Sequence, residues 1–169
     1  MKKLIIASAI AMTMTAGSAM ASQGEIQFFG NVTSETCDMV PEIGGAVNNI
    51  IQLGTAQTGN QATAVDFALK AKDSTQCNAA AAKNATITWM GNLGTEGIMN
   101  QGGSATDAHV KLVAKNATTQ NTEITSTQNA AEFDKANLTG DGYQFSAQLK
   151  AGSTPGDFQS AVAYAVTYK

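Results

Sequence analysis

Cys37 and Cys77 are the two residues of this 169-residue chain whose type and number most directly imply chemistry. An even number of cysteines in an exported protein is typical of a disulfide bond, which persists in an oxidising compartment. A pair of buried free thiols is the alternative, and a zinc site is disfavoured because His109 is the only histidine and no Cys-x-x-Cys pair occurs. We therefore expect a Cys37–Cys77 disulfide, which would close a loop of about 40 residues and stabilise the fold by roughly 4 kcal/mol.

A hydrolase would need a nucleophile beside a base, and the sequence offers poor candidates for both. His109 opens an alternating strand-like stretch and is predicted to lie at a surface or an edge. Ser104 follows two glycines but lacks the second glycine of a nucleophile elbow. Glu132 and Asp134 are close in sequence, but such pairs are usually solvated loop charges. The sequence therefore predicts no enzyme, no catalytic residue, no cofactor and no metal site.

A carbohydrate site is a second possibility, since aromatic and cationic side chains suit sugar binding. Trp89, Tyr143 and Lys135 are the residues that such a site would use. A lone tryptophan at a strand end, however, belongs more often to the core. Direct binding of a host glycan is therefore kept as an alternative function.

The positively charged and apolar start of the chain predicts export. Lys2 and Lys3 precede an apolar stretch, residues 4–16, that is too short to span a bilayer. Small residues follow, and Ala19 and Ala21 fit the specificity of a signal peptidase. We expect a signal peptide over residues 1–21 and a mature chain that starts at Ser22.

The charge of the chain argues against binding to nucleic acid. Its ten basic residues are all lysine, against 13 acidic residues, and the formal net charge is −3. Loss of Lys2 and Lys3 with the signal peptide makes the mature chain more acidic still. Phosphate neutralisation and base readout both favour clustered lysine and arginine, so no nucleic-acid partner is expected.

Apolar residues recur mostly with period two across the mature chain, in short runs separated by glycine and polar residues, which predicts an all-β fold. The predicted strands are Gly24–Cys37, Asn49–Leu53, Val65–Ala71, Ala85–Met90, His109–Lys115, Tyr143–Lys150 and Val162–Tyr168. A short helical turn is expected at Asn78–Asn84, and loops at Gly91–Asp107 and Asn116–Asn129. About seven strands in one domain suggest two packed antiparallel sheets of immunoglobulin type.

The two ends of the mature chain alternate most clearly. Near the N-terminus one face is apolar or small throughout, and it comprises Ser22, Gly24, Ile26, Phe28, Gly30 and Val32. Near the C-terminus Val162, Tyr164, Val166 and Tyr168 share one face. A strand at a chain end is either tied into a sheet or offers an edge to another chain.

These features together resemble the subunits of chaperone–usher fimbriae, in particular the type 1-like major pilin family. The resemblance rests on the segment GEIQFFGNV at 24–32, the separation of Cys37 and Cys77, and the C-terminal pattern with penultimate Tyr168. Gly156 also fits the terminal motif of the family. The N-terminal extension is short, and the loop Gly91–Asp107 has no counterpart that we recognise in the family.

The resemblance implies an incomplete immunoglobulin-like β-sandwich that is completed by a donor strand from a neighbouring subunit. It assigns residues 22–31 to the donor-strand extension and residues 32–169 to the pilin domain. Gly24, Ile26, Phe28 and Gly30 would form the donor strand, and the groove for a chaperone or donor strand would involve Gly156, Val162, Tyr164, Val166 and Tyr168. The implied partners are copies of the chain, other fimbrial subunits, a periplasmic chaperone and an outer-membrane usher. The implied location is a fimbrium on the bacterial surface, reached through the periplasm.

Overall fold

The computed structural model describes residues 37–73, 77 and 83–169, and nearly all regular structure in this part is β. A short 3-10 helix, Lys135–Thr139, is the exception among the elements of these residues. The strands in chain order are β1 (Met39–Ile43), β2 (Ala46–Val47), β3 (Val65–Ala71), β4 (Asn84–Gly91), β5 (Leu93–Gly94), β6 (Gly97–Met99), β7 (His109–Ala114), β8 (Thr122–Ile124), β9 (Ala130–Asp134), β10 (Tyr143–Lys150) and β11 (Val162–Tyr168).

The strands form two antiparallel sheets. The larger sheet has the order β2–β1–β3–β10–β7–β6–β5, with β8 also paired to β7. The smaller sheet has the order β11–β4–β9, so β11 lies at one edge of it in the described part of the chain. This is the two-layer, all-antiparallel arrangement of an immunoglobulin-like sandwich, as the strand pattern predicts.

Alternating burial along the central strands builds the core between the sheets. In β4, in β7 and in β10 as far as Ala147, every second side chain is buried, because successive side chains of a strand point to opposite faces. The largest fully buried side chains are Tyr143, Phe133, Phe145, Leu69, Ile87, Leu112 and Ile124. The ring centroids of Phe67 and Phe133 each lie 5.4 Å from the ring centroid of Phe145.

Five of the predicted strands are confirmed. Val65–Ala71, Tyr143–Lys150 and Val162–Tyr168 have the predicted bounds, and the strands predicted at Ala85–Met90 and His109–Lys115 are Asn84–Gly91 and His109–Ala114. The strand predicted at Gly24–Cys37 lies outside the described residues, apart from Cys37. The helical turn predicted at Asn78–Asn84 is also largely outside them, and at its end it is wrong, because Asn84 begins β4.

The strand predicted at Asn49–Leu53 is wrong, because these residues join neither sheet in the described part of the chain. Their alternation is nevertheless real. Ile51 and Leu53 are half-buried against the core, while Ile50 and Gln52 are exposed. The segment therefore presents an apolar face, but it lacks the ladder of hydrogen bonds that would make it a strand.

Several short strands lie where loops were predicted. The stretch Gly91–Asp107 contains the β5–β6 hairpin, and Asn116–Asn129 contains β8. The strand β9, with sequence AAEFD, pairs with β4 over five residues although alanine and acidic residues are poor strand formers. In these places pairing with a long neighbouring strand decides the structure.

Candidate functional site

The predicted disulfide between Cys37 and Cys77 is confirmed, with the two Cα atoms 4.8 Å apart. It joins the residues just before β1 to the connection between β3 and β4. A backbone hydrogen bond from Lys72 to Asp38, at 2.8 Å, supports the same junction. Both half-buried cysteines pack against the core, so the bridge fixes one end of the larger sheet.

Replacing Cys37 with serine should destabilise the protein severely. The chain-entropy model rates a bridge across about 40 residues at roughly 4 kcal/mol, which is a large share of the 5–15 kcal/mol that keeps a domain folded. We expect the Cys37→Ser protein to accumulate poorly in cells and to unfold at lower denaturant concentration. Reduced wild-type protein is the matched control and should unfold as the variant does. An unchanged unfolding midpoint would contradict this account.

An apolar groove lies beside β11 in the described part of the chain. It encloses a cavity of about 240 Å³. Val162 and Tyr164 of β11 line it together with Ile51 and Leu53, the apolar face of the unpaired segment 49–53. The other lining residues are Pro41, Asn49, Phe67, Leu69, Trp89, Ile98, Val110, Leu112, Ala147, Phe158, Ser160 and Ala161. Side chains of the core therefore form the floor of the groove, and the half-buried residues of β11 and of the segment 49–53 form its sides.

Trp89 lines the groove from within the core. Its side chain is 4 % exposed and lies 5.2 Å from the ring of Phe145 and 5.6 Å from that of Tyr164, measured between centroids. Its Nε1 has no hydrogen-bond partner among the described residues. Tyr143 is fully buried as well. Neither aromatic ring therefore offers a surface for stacking on a sugar, so the structure gives no support to the alternative of a glycan site at Trp89, Tyr143 and Lys135.

The strand β11 forms one rim of this groove. All seven of its residues are half-buried, and it pairs with β4 from Val162 opposite Gly91 to Tyr168 opposite Ala85. The hydroxyl of Tyr164 donates a hydrogen bond of 2.7 Å to the carbonyl oxygen of Met39 in β1, which links β11 of the smaller sheet to the larger sheet. Burial raises the pKa of the Tyr164 phenol, so this hydroxyl remains a donor at neutral pH.

The structure brings the sequence-predicted groove residues together along β11. Val162, Tyr164, Val166 and Tyr168 all pack against the core, and the first two also line the cavity. Gly156 lies in the preceding loop with φ +150°, and a side chain there would collide with Ser104. Pattern reasoning did not assign Ile51 and Leu53 to the groove, although their alternation was visible in the sequence.

The candidate catalytic residues are not assembled into a site. His109 begins β7 and pairs with Lys150 of β10. Ser104 Oγ accepts a hydrogen bond of 3.3 Å from the backbone amide of Asp157. Among the described residues no group of three or more His, Cys, Asp or Glu side chains could hold a metal ion. No helix in the same part of the chain is long and apolar enough to cross a membrane.

Comparison with known proteins gives three informative similarities. The F107 fimbrial protein of Escherichia coli is 48% identical over 170 residues, covering 100% of both chains. The K99 fimbrial protein of Escherichia coli is 32% identical over 183 residues, covering 99% of each. The crystal structure of the P pilus rod subunit PapA matches with a TM-score of 0.50 at 14% identity, covering 86% of this chain and 100% of that one.

No protein-family model matches the chain. The likeness to the rod subunit concerns the fold, which is the incomplete immunoglobulin-like sandwich of pilus subunits. The family follows from the two relatives that match along their full length. This chain belongs to the fimbrial subunits of the chaperone–usher type.

Proposed function

We propose that this protein is the major structural subunit of a chaperone–usher fimbria and polymerises by donor-strand exchange into a surface fibre that adheres to host cells. The observation that carries the proposal is the apolar groove beside β11, whose lining belongs to the hydrophobic core. Half-buried apolar residues that line a groove are costly for a free monomer, and a strand from a second copy would cover them.

The strand that fills the groove is proposed to be the N-terminal segment 22–31 of the next subunit. It lies outside the described residues, so its role rests on its sequence and on the chemistry of the groove. Ile26 and Phe28 supply apolar side chains at alternate positions, each stabilising by roughly 1.5–3 kcal/mol when fully buried. Gly24 and Gly30 allow close approach of the two backbones.

Before assembly, a periplasmic chaperone is proposed to lend its own strand to β11. The N-terminal segment of the incoming subunit then replaces it at an outer-membrane usher. Both steps are β-augmentation, in which backbone hydrogen bonds supply affinity and alternate side chains fill pockets. This sequence of events requires residues 1–21 to act as a signal peptide for the periplasm and residues 32–169 to form the pilin domain.

Each subunit in this scheme donates one strand and accepts another through different surfaces. Such a head-to-tail contact does not close on itself and therefore generates an open filament. Other fimbrial subunits with the same groove and extension could join the fibre at its ends. Antibody labelling in electron micrographs distinguishes a major from a minor subunit. A major subunit is labelled along the full shaft, and a minor one only at isolated positions.

Deletion of residues 22–31 tests the proposal directly. If the segment belonged to its own domain, deleting it would expose core and destabilise the monomer. If it belongs to the next subunit, the truncated protein should be exported, bind the chaperone and terminate polymers without extending them. Gels of unboiled samples should then lack the ladder of multimers, while the chaperone complex is recovered in normal amount. Failure of the truncated subunit to bind the chaperone would count against donor-strand exchange.

A further inference from the structure

Two loops, residues 100–107 and 151–161, are joined side by side in what we term the loop clamp. Asn100 lies at its centre and uses both polar atoms of its side chain. Its Oδ1 accepts hydrogen bonds from the amides of Gly103, at 3.1 Å, and Gln159, at 3.0 Å. Its Nδ2 donates to the carbonyl oxygens of Gly103, at 2.8 Å, and Ala105, at 2.9 Å. One side chain thus shapes its own loop and holds the other.

Asp107 and Gln101 add further contacts between the same loops. Asp107 Oδ2 accepts from the amide and the hydroxyl of Ser153, at 2.7 and 2.8 Å, and Oδ1 accepts from the amide of Thr154 at 3.1 Å. The hydrogen bonds from Ser153 lower the pKa of Asp107 to about 2, so its carboxylate is charged at neutral pH. Gln101 Oε1 accepts from the amide of Ala161 at 2.8 Å.

Backbone contact between the loops makes the clamp tight. A side chain at Gly103 would collide with the carbonyl group of Asp157, and a side chain at Gly156 would collide with Ser104. The amide of Ala105 also donates to the carbonyl oxygen of Asp157 at 3.1 Å. The two loops therefore approach as closely as two strands do, although neither belongs to a sheet there.

The clamp continues directly into the groove. Phe158, Ser160 and Ala161 belong to its second loop and line the groove, and Val162 begins β11. Loops that form part of a binding surface lower affinity when they must be ordered on binding, and a preformed surface avoids that cost. We propose that Asn100 and Asp107 are positioning residues that preform this end of the groove for the incoming strand. This inference rests on the proposed donor-strand function.

The loop clamp is tested by measuring the rate at which the subunit releases a bound donor-strand peptide. A labelled peptide of residues 22–32 is exchanged into the subunit from its chaperone complex, and excess unlabelled peptide then reveals the rate of release. Trp89, the only tryptophan of the chain, lines the groove, so its emission reports occupancy independently of the label. Asn100→Ala loses the bond from Gln159 that joins the loops and the three bonds that shape loop 100–107, so it should speed release about tenfold.

Two further variants test whether faster release is specific to the loop clamp. Asp107→Asn keeps the shape of an exposed side chain and weakens the hydrogen bonds to Ser153, so release should be about threefold faster without loss of folding. Asn116→Ala is the matched control. Asn116 likewise holds backbone groups that are distant in sequence: its Nδ2 donates to Gly142 O at 2.9 Å, and its Oδ1 accepts from Gln144 N at 2.8 Å. Neither partner lines the groove.

The outcomes separate the clamp from the function on which it rests. Faster release in Asn100→Ala and Asp107→Asn, with Asn116→Ala at the wild-type rate despite comparable thermal destabilisation, supports the positioning role. Wild-type release rates in both clamp variants overturn it. Equal acceleration by Asn116→Ala also overturns it, because the effect is then one of general stability. If the wild-type subunit does not take up the peptide at all, the donor-strand proposal itself fails.

Discussion

A subunit with Phe28→Asp should fold and bind its chaperone but form no fibres. In the proposed donor-strand exchange, the substitution would preserve the backbone of the donor strand and would place a charge where an apolar side chain enters the groove. An unpaired carboxylate buried among groups such as Trp89 and Leu112 costs several kcal/mol, in addition to the lost burial of phenylalanine. The ladder of multimers on unboiled gels should collapse to monomer, while circular dichroism of the chaperone-bound subunit remains that of a β-sandwich.

The neighbouring residue Gln27 provides the control for charge alone. It lies on the opposite, polar face of the predicted donor strand, so Gln27→Asp should leave the ladder of multimers intact. Normal fibres from Phe28→Asp would show that the side chain does not enter a groove. Unfolding of the Phe28→Asp monomer would instead assign the segment to its own domain.

Negative charges introduced into β11 should block an earlier step, the binding of the subunit by its chaperone. Val166 and Tyr168 are half-buried in β11 and pack against the core. Replacing both with aspartate puts two carboxylates into the strand that, in the proposed function, a chaperone strand covers, where each unpaired charge is costly. We expect no recoverable chaperone complex and rapid degradation of the exported subunit.

Lys169→Asp is the corresponding control, because the side chain of Lys169 is exposed directly after Tyr168. This variant should co-purify with the chaperone in normal amount. Unchanged co-purification of the doubly substituted subunit would contradict the assignment of β11 as the chaperone-binding strand. Loss of binding in both variants would point to a charge effect on the whole surface.

The alternation of apolar residues in the sequence is enough to predict the strands that are long and central in a sheet. Val65–Ala71 and Tyr143–Lys150 have apolar residues at alternate positions, and burial of one face fixes their bounds. The disulfide was predictable from number and context alone. The terminal strand Val162–Tyr168 was found because its alternation continues unbroken for seven residues.

The sequence pattern does not predict structure that depends on pairing with residues distant in the chain. The residues of β9 are poor strand formers, and their pairing with β4 gives them their conformation. Asn49–Leu53 shows the reverse, since it alternates like a strand but has no ladder in the described part of the chain. The loop clamp joins polar residues about 50 positions apart, such as Asp107 and Ser153, and no periodicity links them.

The long ladder between β11 and β4 has a mechanical consequence. It runs over seven consecutive residue pairs, from Val162 opposite Gly91 to Tyr168 opposite Ala85. In a fibre assembled as proposed, tension enters each subunit along a donor strand that lies lengthwise beside β11. Force in that direction shears the ladder and loads all of its hydrogen bonds at once, whereas a perpendicular force would unzip them one after another. Each subunit of such a fibre should therefore resist unfolding under a high pulling force, because the hydrogen bonds of this ladder share the load.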